Sequence, residues 1–241
     1  MIGCGNIEIQ GGDITATGVT GAGIGGGFKS SCGNISISGG TVEATGGANA
    51  AGIGSGGGSS DTCGDISISG GTVTATGGNE GAGIGSGQQG TCTTITISGG
   101  TVTANGGEWA AGIGSGNKGT CGDILISGGT ITATGGYCAA GIGSGSCGNC
   151  DNITISGGTV SATGGQWAAG IGSCNNGTCG DITITTGVTQ VTATKGDGGI
   201  NSIGKGDNNG SCGTVTIDPS LNQATSTKVI ADDTLTLTPA Q

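Results

Sequence analysis

The sequence predicts an all-β protein, a right-handed parallel β-helix with three faces and about eight coils of about 29 residues each. Three observations predict it. A cysteine-marked unit recurs along the chain, every unit contains three short runs of strand-like alternation, and no helical period occurs anywhere. Units begin at Cys4, Cys32, Cys63, Cys92, Cys121, Cys150 and Cys179, and from Cys63 to Cys179 each spacing is 29 residues. The unit from Cys63 reads CGDISISGGTVTATGGNEGAGIGSGQQGT. An eighth unit, at Cys212, keeps only CGTVTID before Pro219. The expected organisation is therefore a solenoid over residues 1–211, followed over 212–241 by a partial coil and a C-terminal cap containing Lys228, Asp232 and Asp233.

The first run of each unit, ISIS or ITIS, alternates Ile with Ser or Thr and reads as a half-buried strand. Its inward columns are Ile66, Ile95, Ile124, Ile153 and Ile182, beside Ile68, Ile97, Ile126, Ile155 and Ile184. The second run, TVTAT, puts Val73, Val102, Ile131 and Val160, with Ala75, Ala104, Ala133 and Ala162, on the same inner surface. The third, AAGIGSG, is extended with one nearly bare face and contributes Ile84, Ile113, Ile142 and Ile171. Stacked identical side chains explain how a chain that is 32% hydrophobic and 2% aromatic, with 63 glycines among 241 residues, can fold at all. Eight coils at about 4.8 Å each make a rod of roughly 40 Å.

Composition also narrows function. A formal net charge of -10, with five Lys and no Arg, leaves no basic face for nucleic acid. Without His there is no imidazole for catalysis or metal ligation. The only adjacent carboxylate pair, Asp232 and Asp233, lies in the tail, so no enzyme activity, cofactor or metal is expected. No apolar run approaches the length of a membrane span, and the opening MIGCGNIEIQ lacks the regions of a signal peptide. The chain reads as a fragment or excised domain of a longer protein.

Three surface features are candidates for function. The cysteine ladder, Cys4, Cys32, Cys63, Cys92, Cys121, Cys150, Cys179 and Cys212, brings Cα atoms to about 4.8 Å, within disulfide range. Its two readings are a staple between coils and a column of reduced, buried thiols. Cys147 and Cys174 lie two positions out of phase and are candidates to pair, which leaves Cys138 over as a free thiol or a lateral link. The second feature is a Thr array: Thr72, Thr74, Thr76, Thr101, Thr103, Asn105, Thr130, Thr132, Thr134, Thr159, Ser161 and Thr163, interrupted towards the N-terminus by Asp13 and Glu43. Such ranks resemble the ice-binding faces of antifreeze solenoids, while Thr is also simply a good exposed strand residue. The third is an aromatic patch at a variable turn, where Trp109, Cys138 and Trp167 share a coil position, with Tyr137, Glu108 and Gln166 alongside. Its readings are a platform for sugar rings and a cover for coil edges.

A fourth column, Asn6, Asn34, Asp65, Asp123, Asn152 and Asp181, reads as turn-stabilising, since Thr94 interrupts it and its carboxylates do not cluster as calcium requires.

Strings such as ISGGTVTATGG and AAGIGSG resemble the glycine-rich repeats of cell-surface proteins from anaerobic gut bacteria, and are similar in layout to parallel β-helix carbohydrate-binding and adhesin modules, over residues 4 to about 211. The regular Cys departs from those repeats, where Gly or Ser is usual. The resemblance implies an extracellular or cell-surface stalk or adhesive module that binds glycan, with ligand residues that do not carry over. Ice binding through the Thr array and end-to-end assembly into filaments are the alternatives.

Overall fold

The computed structural model describes residues 3–207, 209–221 and 232–240. It is a parallel β-solenoid, and no helix among these residues is long and apolar enough to cross a membrane. Seven Ile-Gly strands stack in one sheet, so the chain makes seven full turns before the partial one at Ser211–Cys212 and Val215–Ile217. Equivalent residues pair in register: Ile66 with Ile95, Ile95 with Ile124, Ile124 with Ile153, and Ile153 with Ile182. All the inward Ile, Val and Ala columns expected from the alternation are buried and form one continuous core.

The structure has three sheets, yet they are not one per run. The first and second runs merge into a single 14-stranded sheet, because Ile124–Thr134 and Ile153–Thr163 continue through the Ser-Gly-Gly corner as unbroken strands. The Ile-Gly strands form the second sheet. Two-residue strands at the cysteines, such as Thr91–Cys92 and Thr120–Cys121, form the third. A two-residue strand is too short to show an alternation in the sequence.

The Ile-Gly strand needs glycine for two reasons. Gly114 has φ of 136°, outside the range of L side chains, and a Cβ there would lie 1.9 Å from the Gly143 carbonyl oxygen in the next coil. The following serines, Ser55, Ser86, Ser115, Ser144 and Ser173, form a fully buried column. The Ser55 and Ser86 hydroxyl oxygens accept N–H bonds from Gly87 at 2.9 Å and Gly116 at 3.0 Å, so each serine satisfies an amide that the tight corner would otherwise orphan.

At the C-terminal end the parallel pattern stops. Thr234–Leu237 lies antiparallel on Val188–Thr194, burying Leu235 and Leu237, and Asp233 pairs with Lys195 at 3.2 Å. Asp232 precedes this strand and is exposed, while Lys228 lies outside the described residues.

Candidate functional site

The cysteine ladder is a column of thiols. All eleven cysteines are free, and Cys32, Cys63, Cys92, Cys121, Cys150 and Cys179 point into the core. In-register stacking gives successive thiols the same direction, towards a carbonyl of the preceding coil: Cys63 Sγ to Gly33 at 3.8 Å, Cys92 to Gly64 at 3.9 Å, Cys150 to Gly122 at 3.9 Å. The staple reading is thereby replaced by the buried-column reading. The thiol of Cys92 beside it, together with burial, pushes Cys63 up, and Cys121 does the same to Cys92. Protonated thiols of this kind are poor nucleophiles.

Cys147 and Cys174 do not pair either. Cys147 sits outside, at φ 52° in an exposed corner, whereas Cys174 takes the place that glycine holds in neighbouring coils and is fully buried, its Sγ 2.9 Å from the Gly145 carbonyl. Cys138 is 6% exposed, which removes it as a lateral link between molecules.

The Asn and Asp column engages its side-chain oxygens with the chain itself. Asn6 Oδ1 accepts from the Asn34 amide, Asn34 Oδ1 from Asp65, Asp123 Oδ1 from Asn152, and Asn152 Oδ1 from Asp181, each at 3.0 Å.

The Thr array is in register throughout. Thr72, Thr101, Thr130 and Thr159 form one rank, Thr74, Thr103, Thr132 and Ser161 the next, and Thr76, Asn105, Thr134 and Thr163 the third. Glu43 stands opposite Thr74 and interrupts the middle rank, and Asp13 begins the first.

The aromatic corner departs most from expectation. Although Trp109, Cys138 and Trp167 share a coil position, it is Tyr137 that stands between the indoles. Its ring meets Trp109 edge-on at 6.3 Å and 78°, and Trp167 at 6.2 Å and 80°. Two T-shaped contacts of this kind contribute about 0.5–1.5 kcal/mol each. Cys138 turns inward instead, which frees the outer position for its neighbour. Tyr137 remains 50% exposed and Trp167 38%, so the ladder presents ring surface to solvent. Beside it opens a shallow groove lined by Tyr137, Gly164, Gly165, Gln166, Gly196 and Asp197. Gln166 thus reaches the groove as the sequence suggested, Glu108 is exposed one coil away, and Asp197 enters unforeseen. Trp167 is held at φ 57°, an uncommon conformation for a bulky residue, and its indole covers Gly198, where a Cβ would lie 2.4 Å from the ring.

These features define a repeat solenoid with one decorated corner. A family model described as a beta helix repeat matches residues 7–28, 35–57, 66–88, 95–117, 124–146 and 153–177, more than half of the chain, and the protein belongs to that family. No curated protein and no solved structure matched it.

Proposed function

We propose that this protein is a non-catalytic, extracellular or cell-surface solenoid that serves as a rigid stalk and binds glycan at its aromatic corner. The observation that carries this reading is the Trp109–Tyr137–Trp167 ladder beside a groove with Gln166 and Asp197. Sugar recognition pairs exposed aromatic surface for C–H faces with a few polar groups for hydroxyls, and this corner offers both. Continuous in-register stacking supports the stalk role, because each coil is braced by two others. Binding of the intact protein to a panel of neutral and charged oligosaccharides tests the reading. Trp167→Ala is expected to weaken any bound glycan at least about tenfold while leaving the Thr ranks intact. Equal binding by the variant, or none by the parent, would overturn it.

A second reading, ice binding, is favoured by the regular Thr ranks. It predicts thermal hysteresis in the parent that disappears in the Thr103→Tyr, Thr132→Tyr double variant.

A further inference from the structure

At the aromatic corner each coil makes a four-residue turn, and the amide at its third position bonds to a neighbouring coil. In three consecutive coils that bond runs backwards: Glu80 N–H to Ala48 at 3.0 Å, Trp109 to Asn79 at 3.1 Å, and Cys138 to Glu108 at 3.2 Å. At Trp167 it reverses. The Trp167 amide donates forward, to the Asp197 carbonyl at 2.9 Å, and the positive φ of Trp167 marks the flipped peptide.

The reversal has a geometric result. In a trans peptide the N–H and C=O point to opposite sides, and no cis bond occurs among the described residues. Since the Cys138 amide points back, the Tyr137 carbonyl points forward; since the Trp167 amide points forward, the Gln166 carbonyl points back. The two carbonyls therefore face each other across the gap between consecutive coils. A Cβ on Gly165 would lie 2.7 Å from the Tyr137 oxygen, consistent with that direction. Among the described residues no group donates to either oxygen. Tyr137, Gln166 and the exposed Asp197 all line the groove.

The site is thus rich in acceptors, two carbonyls and a carboxylate, against two neutral side-chain donor groups, the Gln166 amide and the Tyr137 hydroxyl. We infer that the groove takes an amino sugar, its ammonium group seated between the Tyr137 and Gln166 carbonyls beside Asp197 and its ring against Tyr137 and Trp167. Charge-assisted hydrogen bonds to a cation match this arrangement better than bonds to a hydroxyl, which would also offer lone pairs to the facing oxygens. The inference rests on the glycan-binding reading and names the sugar class for the same site.

A short oligosaccharide of glucosamine and its N-acetylated counterpart, titrated at mildly acidic pH into the intact protein, test it. The free amine is expected to bind about tenfold more tightly, and the carbonyl carbon resonances of Tyr137 and Gln166 to shift on its addition. Gly198→Ala, which puts a methyl group into the Trp167 indole, is expected to abolish the preference. Equal affinity for the two sugars, carbonyl resonances that stay still, or a preference that survives Gly198→Ala in a folded variant would each overturn the inference. The last result would assign binding to the general acidity of the surface. Neutral glycans that bind through Trp167 with no gain from an amine would sink the sugar class alone, while absence of all glycan binding would remove both.

Discussion

The Ser115 hydroxyl oxygen accepts the amide of Gly145 in the next coil at 3.0 Å, with both groups fully buried. No water reaches that corner, so the bond is the amide's means of satisfaction. Ser115→Ala is therefore expected to destabilise the protein by about 1–3 kcal/mol, the cost of an orphaned buried donor, read as a lower urea midpoint with an unchanged slope. An unaltered midpoint would show that the corner relaxes around the loss.

Gly114→Ala should be more damaging than deleting core volume. The new methyl group meets the Gly143 carbonyl backbone, and the residue must keep a φ of 136°. Ile124→Ala, a cavity in a central coil, is expected to cost about 2–5 kcal/mol. Limited proteolysis comparing the two variants should find Gly114→Ala cut faster near the lesion.

Thiol reactivity should divide the cysteines sharply. In the native state Cys4 and Cys147 are exposed and are expected to react first with an alkylating reagent, with the buried column labelled only after unfolding. Mass mapping of the labelled sites reads this directly. Early labelling of Cys92 or Cys121 would contradict the packed column.

Alkali should weaken the fold through the same thiols. Burial pushes the Cys174 thiol up from an ordinary 9.0 to about 12. A raised folded value means that the stabilisation is complete below the unfolded value and is lost as pH climbs through the folded one. The unfolding midpoint is therefore expected to fall between about pH 9 and pH 12, less so in Cys174→Ser. A flat profile over that window would refute the assignment.

Removing the central ring tests the aromatic ladder. Tyr137→Ala loses two edge-on contacts, about 1–3 kcal/mol together, and opens both indoles to water. Tryptophan emission should shift to the red.

Much of this fold is legible in the sequence, because Ile95 and Ile97 alternate with Thr and recur at a fixed phase in every coil. The Thr-Cys ladder is less so, since Thr91–Cys92 is too short to carry a period. The aromatic corner is hardest. GGEWAAG around Trp109 and GGQWAAG around Trp167 differ at one residue, yet their turns have opposite hydrogen-bond directions. The reversed bond goes to Asp197 in the following coil and the indole lies over Gly198 there, and no local pattern reports a neighbour about 30 residues away. Similarly, Tyr137 is one position out of phase with the indoles it separates, which spacing alone assigns to Cys138.

In-register stacking also makes the units exchangeable. Residues 66–88 and 95–117 meet their neighbours through the same backbone ladders, so slippage during gene replication could delete or duplicate one such unit and still leave every column continuous. The corner at Tyr137 is exempt from that freedom. Excising its unit would lay Trp109 directly against Trp167 and erase the facing carbonyls together, so the molecule can vary its reach by whole units only on either side of one fixed address.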